Sequence, residues 1–373
     1  MTLAKPSLGL LRSLTDEHVL NELVAADRLT RAELSARTGI SKPTIAESVR
    51  RLTDEGLLRD TGERSTGRGR AGSYFALADG LGSALAVEVT AAAIVAERIE
   101  VSGETVGRAV EEVPADPEPA AVAAALARAA ERAIGTTGPA RLAAVSAADP
   151  VDRGTGRLVE LPDSPFLVGE LDPPTVLAPY VSGRVTVDND VHWAARAELE
   201  GGAPADFVYL YLGAGLGGAI VSDGAVRRGG AGIAGEVSHV ITAGPDGRAM
   251  PFTEVFERLA LHRPGSSAID VPELLRRLAG AGAGAEPAAS ADAVVAAVCG
   301  VLVTIISLTD PEVIIVGGPW GTDERLLGPV VERLNGQPRR AAVRAATAAA
   351  DTPLTAVRAF ALTALRREVL ARP

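Results

Sequence analysis

Three short segments between Val187 and His239 carry side chains whose types and spacing suit the binding of a polyhydroxylated ligand. The first, VDND at 187–190, sets the carboxylates of Asp188 and Asp190 on either side of the Asn189 amide. A carboxylate there can take a proton from a hydroxyl while the amide holds the next hydroxyl along. The second, LGAGLGGAIV at 212–221, is a glycine turn in which Gly213, Gly215, Gly217 and Gly218 leave backbone N–H groups open to approach. The third, AGEVSH at 234–239, places an imidazole, His239, three residues after a carboxylate, Glu236. Read together they describe a pocket for a polyhydroxylated ligand. Each also has a plainer reading: Asp188, Asn189 and Asp190 suit the capping of the helix that follows, and a lone histidine is commonly a satisfied core residue.

Such a pocket needs a scaffold, and the chain on both sides supplies one. ALAVEV, AIVAERIEV and GETVGRAVEEV read as consecutive short strands turning at Ser102 and Gly103. AAVAAALARAAERAI reads as a helix, LAAVSAADPVD as a strand, VHWAARAELEGG as a second helix, and FVYLYLGAGLGGAIV with GAVRRG as strands around the glycine turn. The Ala/Gly-rich stretch 274–293 reads as a surface connection, DPEVIIVGGPWG as a buried strand running into paired glycines, and 353–370 as a closing helix. Alternating strands and helices predict α/β layers on a mixed or parallel sheet.

The front of the chain follows another plan. DEHVLNELVAADR forms one amphipathic helix, Thr30 and Glu33 make a capping box that opens RAELSART, and Gly39 closes it. Ser41 caps a third helix with Pro43 in its first turn, and Ile45, Val49 and Leu52 form its apolar side. Lys42, Thr44, Glu47, Ser48 and Arg51 fall on its other faces. Helix, glycine turn, helix is the helix-turn-helix layout. Leu57 and Leu58 then start a strand and SYFAL returns as another, flanking RDTGERSTGRGRAG, so the unit is winged. Ser41, Lys42, Thr44, Glu47, Ser48 and Arg51 are candidate DNA contacts from the helix. Arg68 and Arg70 are candidates from the wing, suited to a minor groove. The basic wing weighs against a helical bundle with a merely solvated face.

Composition bounds the rest. A chain of 373 residues exceeds one ordinary domain, and the change of plan near residue 80 divides it into 1–80 and 81–373. An apolar fraction of 47% with only 3% aromatics suits α/β layers and argues against disorder. Residues 1–77 carry a net charge of +2 and the remainder −12, so the acidic body is a poor partner for nucleic acid. Cys299 is the one cysteine, which excludes an internal disulfide and fits a reducing compartment. The first residues lack a signal-peptide core, and the apolar run 293–306 is shorter than the ~20 residues of a membrane span. The expectation is a soluble, cytoplasmic protein with no membrane contact.

With a winged helix followed by VDNDVHWAARAELE, YLGAGLGGAIV, GGAGIAGEVSHV and VIIVGG in that order, the chain resembles the ROK-family transcriptional regulators, the group named for repressors, open reading frames and sugar kinases. The resemblance covers nearly the full length. It implies that 81–373 is a two-lobed, actin-like, sugar kinase-type ATPase fold with a sugar in its cleft. It further implies that Asp190 stands at the family's catalytic base, with Asn189 beside it. Glu236 and His239 would touch the sugar, and Glu254 would be a further sugar-binding glutamate.

Two departures from the family pattern separate sensor from enzyme. The family's kinases carry Asp-x-Gly-Gly-Thr on the first strand, whereas VEVTAAAIV offers Glu88 and then Ala91–Ala93, whose methyls crowd the place of a phosphate. The family's Cys-x-Cys-x4-Cys zinc cluster is missing from HVITAGPDGRAMPFTEVF, so a thiolate zinc site is excluded and the packing of Met250, Pro251 and Phe252 must hold that loop. Ser238 also replaces the glycine usual before the histidine. The expectation is a DNA-binding regulator, a repressor of carbohydrate uptake or metabolism genes, that answers to a sugar or sugar phosphate. It would act as a homodimer or homotetramer on a double-stranded operator, with no cofactor, no metal, and Asp190 as a vestigial base. A sugar kinase with an attached DNA-binding domain is the rival reading, and a constitutive DNA-binding protein with an idle cleft is a third.

Overall fold

The computed structural model describes residues 8–65, 72–114, 118–159, 171–280, 285–347 and 353–370. The chain opens with α1 (Leu8–Ala25), a short β1 (Arg28–Thr30), α2 (Arg31–Thr38) and α3 (Lys42–Asp54). Local chemistry fixes these boundaries. The Thr30 hydroxyl accepts from the Glu33 N–H at 3.2 Å while the Glu33 carboxylate accepts from the Thr30 N–H at 2.7 Å. Gly39 ends α2 at φ +70°, a backbone that other residues adopt only with strain. β2 (Leu58–Arg64) and β3 (Ser73–Leu77) complete an antiparallel sheet in the order β1-β3-β2. Arg68 and Arg70 lie outside the described residues. The base of their loop is closed by the Ser65 N–H donating to the Gly72 carbonyl at 2.9 Å.

Lobe I consists of β4 (Ser83–Val89), β5 (Ala93–Glu100), β6 (Thr105–Glu112), α4 (Pro119–Ile134), β7 (Leu142–Ala147), α5 (Pro173–Leu177) and β8 (Val185–Asn189). Its sheet runs β6-β5-β4-β7-β8, antiparallel through β4 and parallel thereafter. After α6 (Asp190–Glu200), lobe II contains β9 (Phe207–Leu212), β10 (Leu216–Ser222), β11 (Ala225–Arg227), the hairpin β12 (Ile241–Ala243) and β13 (Ala249–Pro251), α7 (Phe252–Arg258), α8 (Val271–Ala279), α9 (Ala285–Thr309), β14 (Val313–Gly317), α10 (Glu324–Asn335) and β15 (Ala342–Ala345). Its sheet, β11-β10-β9-β14-β15, repeats the pattern of the first: two antiparallel pairings, then two parallel ones. That duplication is the two-lobed arrangement the resemblance implied. The closing helix, α11 (Pro353–Leu370), returns to pack on lobe I.

Alternation along β4 assigns its two faces. Leu85, Val87 and Val89 pack with α4, while Ala84 and Ala86 face Trp193 of α6 and Val357 and Ala361 of α11. The latter cluster continues into Leu23, Val49, Phe75 and Leu77, so the DNA-binding unit shares a core with lobe I. The opposite side of α6, with Val191, Ala194 and Ala195, packs on Phe207, Tyr209 and Ile315 of lobe II.

The stretch 274–293 differs from the expected surface connection. α8 covers its start with Leu274 and Leu278 buried, and α9 begins at Ala285. Alanine is the strongest helix former, so a composition that reads as low complexity becomes helical once one face has a partner. α9 is also longer than the apolar run suggested. Ala288–Thr309 would suffice in length and composition to cross a membrane, yet 56% of its most apolar window is buried, and Val294, Val298, Val301 and Leu302 lie in the core of lobe II.

Candidate ligand cleft and nucleic-acid interface

Both carboxylates of VDND lie where β8 passes into α6, and they have opposite surroundings. Asp188 is 1% exposed and holds three partners: the His192 imidazole, Nδ1 at 2.7 Å, the Arg196 guanidinium at 2.9 Å, and that of Arg228, which reaches back from beyond β11. Burial alone would raise its carboxyl; the hydrogen bond and charge of His192, with Arg228 and Arg196, hold it down at about 2. Two residues on, Asp190 has no such company. Burial pushes it up to about 7 against the hydrogen bond from the Val191 N–H, and the charges of Asp149, Glu236 and Glu88 add to the rise.

These groups come from four elements. Glu88 is on β4, Asp149 follows β7, Asp190 follows β8, and Glu236 sits in the loop after β11. That loop reaches its position through glycines. A Cβ on Gly235 would lie 2.1 Å from the Gly218 carbonyl oxygen, and one on Gly232 would lie 2.1 Å from that of Val151 in lobe I. A Cβ on Gly217 would meet Val191 at 2.9 Å. Burial also raises Glu236, partly offset by the charge of His192 and reinforced by that of Asp149. Glu88 is raised by burial, opposed by its hydrogen bond from the Leu354 N–H at the start of α11, and raised further by Glu97.

Several expected roles change in the folded chain. The Asn189 side chain caps α6, its oxygen accepting from the Val191 N–H at 2.9 Å, so the capping role is present alongside any ligand role of its amide. Of the four glycines, only Gly213 and Gly215 sit in the turn, where the Gly213 N–H donates to Gly215; Gly217 and Gly218 lie within β10 and serve close packing. His239 is exposed, and the imidazole whose charge acts on Glu236 is instead His192. Glu254 pairs with Arg258 one turn along α7 at 3.0 Å. The loop without cysteines is a hairpin, β12–β13, with Met250 and Phe252 buried beside it and Thr242 donating to the Ala297 carbonyl of α9. Among the described residues no group of three His, Cys, Asp or Glu is arranged to hold a metal ion.

The β4–β5 turn, the place of the phosphate turn that the resemblance implied, is closed upon itself. The Ala92 and Ala93 N–H groups donate to the Thr90 hydroxyl, and the Thr90 N–H and hydroxyl donate to the Ala93 carbonyl. Asp149, Arg196 and Arg228 escaped sequence reasoning, and Glu88 was singled out only as a departure from the phosphate turn, because only the tertiary fold gathers them. The one local trace was the spacing of His192 and Arg196 one turn apart on α6, with Asp188 four residues ahead of His192 at the end of β8.

On α3, Ser41, Lys42, Thr44 and Glu47 are exposed at or near the helix start. Ser48 is a correction: it is fully buried and donates to Asp16 of α1 at 2.5 Å. Position i+3 from Ile45 belongs to the same face as i+4 and i+7, which the reading from Ile45, Val49 and Leu52 passed over. Arg51 is likewise bound to Asp16 by two hydrogen bonds and is mostly covered. Arg50, unnamed from the sequence, is exposed and paired with Glu47 and Asp54.

Residues 12–59 match the winged helix-turn-helix DNA-binding family and residues 85–255 match the ROK family. The bifunctional enzyme NanE/NanK of Brucella melitensis is 34% identical over 157 residues, 40% of this chain and 29% of that protein; its Brucella suis counterpart matches equally. The chain thus spans 29% of the length of these curated relatives. Among solved structures, a ROK family transcriptional regulator, described as a homolog of the E. coli MLC protein, is similar over 96% of this chain and 99% of its own, with a TM-score of 0.63 and 18% identity. A ROK family glucokinase from Streptomyces griseus, solved with glucose and AMPPNP, is similar over 76% of this chain and 100% of its own, with a TM-score of 0.53 and 23% identity. The ROK hexokinase from Thermus thermophilus aligns over 74% and 98%, with a TM-score of 0.56 and 24% identity. A winged helix-turn-helix DNA-binding unit at residues 12–59 thus precedes a segment, residues 85–255, that matches the ROK family, and the fold of the whole is that of the ROK structures above.

Proposed function

We propose that this protein is a cytoplasmic transcription regulator, a repressor of carbohydrate genes, that binds its operator as a dimer or tetramer and answers to a sugar held between its lobes. The observation that carries the reading is the shared core. The winged helix shares an apolar cluster with the lobe that supplies Glu88, Asp149 and Asp190, so a change in the cleft has a mechanical path to the DNA-binding unit. The path has a second strand in α11. Glu88 accepts from the Leu354 N–H at one end of this helix. One turn further along, Arg358 donates to the Gly103 carbonyl, and towards the other end Arg366 donates to those of Val101 and Ser102. That β5–β6 turn borders a cavity of about 490 Å³ whose far wall is Leu23, Val24 and Asp27 of the DNA-binding unit.

Asn189, Asp190 and Glu236 are the groups we assign to the sugar, with His239 and Glu254 outside its immediate contacts. A ligand shifts the DNA-competent population only by its differential affinity for the two states, and couplings of about 1–3 kcal/mol are usual. The self-closed Thr90 turn supports a domain without phosphoryl transfer. One observation favours the kinase reading: a carboxyl raised to about 7 is well placed to act as a general base at neutral pH.

The test is fluorescence anisotropy of DNA from the protein's own promoter region during titration with sugars, aminosugars and sugar 6-phosphates. We expect one compound to release the DNA and Glu236→Ala to abolish that response while leaving DNA affinity unchanged. ATP-dependent turnover of any of these sugars, lost in Asp190→Asn, would establish the kinase instead.

A further inference from the structure

We infer that the cleft is built for a ligand bearing a protonated amine, a sugar with a free amino group, in preference to a neutral or phosphorylated sugar; this rests on the sensor reading above. The argument is a contrast within one segment. Where the chain neutralises a buried carboxylate from within, it does so fully: Asp188 receives His192, Arg196 and Arg228. At Glu88, Asp190 and Glu236 it provides no ion pair among the described residues, and Asp149, 4% exposed, adds its charge to two of them.

The crowding is held by the fold. Glu88 and Asp188 flank Ser146 in register across β4, β7 and β8, so the three side chains share one face of the sheet. The Glu236 loop is seated through Gly235 on Gly218 of β10 and through Gly232 on Val151, two residues after Asp149, while Gly217 of β10 lies against Val191, next to Asp190. The Ser146 hydroxyl is an independent sign that something is missing. It is 1% exposed, lies in the row between Glu88 and Asp188, and has no hydrogen-bond partner. A buried polar group left unpaired is costly and calls for a partner from outside the chain.

An ammonium answers both observations. It carries the charge that three carboxylates lack and offers three donors, while the ring hydroxyls beside it can pair with Ser146 and the Asn189 amide. A phosphate would bring negative charge to the same crowd, and an N-acetyl group would remove the positive one. Bringing a cation to Asp190 also favours its charged form, so binding at neutral pH releases protons.

The experiment is titration calorimetry on the full chain at pH 7, in two buffers of different ionisation heat. The probes are glucosamine, galactosamine and mannosamine, their N-acetyl forms, the parent hexoses and the hexose 6-phosphates. We expect at least one free aminosugar to bind ten-fold or more tightly than its N-acetyl and neutral counterparts, with net proton release, and to release promoter DNA. Glu88→Gln, which keeps the acceptor for Leu354, should narrow that preference several-fold. Equal or tighter binding of a neutral, N-acetylated or phosphorylated sugar overturns the inference and leaves the sensor reading standing. If no probe binds or alters DNA affinity, both fall.

Discussion

The seam between the DNA-binding unit and lobe I is apolar where the two touch and opens on one side into a cavity of about 490 Å³, whereas the seam between the lobes is carried by one helix and by charge. Leu23, Val49, Phe75 and Leu77 share a cluster with Ala84, Val101, Leu142 and Trp193. Across the lobes, beside the packing of α6, the links are polar: Arg228 to Asp188, Arg153 to the Gly229 carbonyl, and Arg344 with Thr347 to Glu198. Apolar packing is indifferent to small changes of charge, while ion pairs in a cleft respond directly to a charged or hydrogen-bonding ligand. The winged helix and lobe I should therefore move as one body, with lobe II answering to the ligand.

The largest effect expected on that comparison comes from Trp193. Its ring is fully buried against Phe360 at 4.9 Å between centroids, and its indole N–H donates to the Val145 carbonyl at 3.0 Å. Trp193→Ala should cost about 3–5 kcal/mol. In hydrogen exchange it should weaken protection in residues 83–147 and also in residues 19–77. Phe256→Ala, an equally buried aromatic between Phe252 and Trp320 in lobe II, should leave 19–77 unchanged. Equal loss in the DNA-binding unit from both substitutions would show that the seams do not differ.

The parts of this architecture written in local chemistry were legible in the sequence. The Thr30–Glu33 capping box, the Gly39 and Ser41 boundaries and the helix at 353–370 stand where short-range spacing put them, because each depends on residues within one or two turns. The three-residue β1 was not legible, since it exists only by pairing with β3 more than forty residues away. Ser48 and Arg51 were misjudged for a related reason. Their environment is set by Asp16, a carboxylate on another helix that gives no signal near position 48. In the cleft, VDND and AGEV could be singled out as chemistry, but the contrast between Asp188 and Asp190 could not. It depends on Arg228, forty residues away, and on carboxylates from three other elements.

Asp188 tests whether the charged seam is structural as well as responsive. Asp188→Asn leaves Arg196 and Arg228 beside a neutral amide and should cost about 2–4 kcal/mol at pH 7. The sign follows from a carboxyl lying at about 2 when folded, below its unfolded value. The contribution is present above pH ~4 and is lost as pH falls towards 2. Urea denaturation should therefore show the variant well below wild type at pH 7 and the two converging near pH 2.5. A constant difference over that range would mean the cations are held by something other than this carboxylate.

Asp190 should behave in the opposite sense, with a smaller effect. Its folded carboxyl, at about 7, lies above the unfolded value, so it favours the folded state at low pH and that contribution is lost as pH rises through 7. Asp190→Asn removes the charge that the cleft opposes. The variant should melt close to wild type near pH 4 and above it at pH 8, the gap opening between pH ~4 and 7 and staying level beyond. A cationic ligand should reverse the ranking at pH 8, because it stabilises wild type through the carboxylate that the variant lacks. If Asp190→Asn instead melts below wild type at pH 8 without ligand, the Asp190 carboxylate is already neutralised within the chain, and the contrast with Asp188 on which the ligand assignment rests disappears.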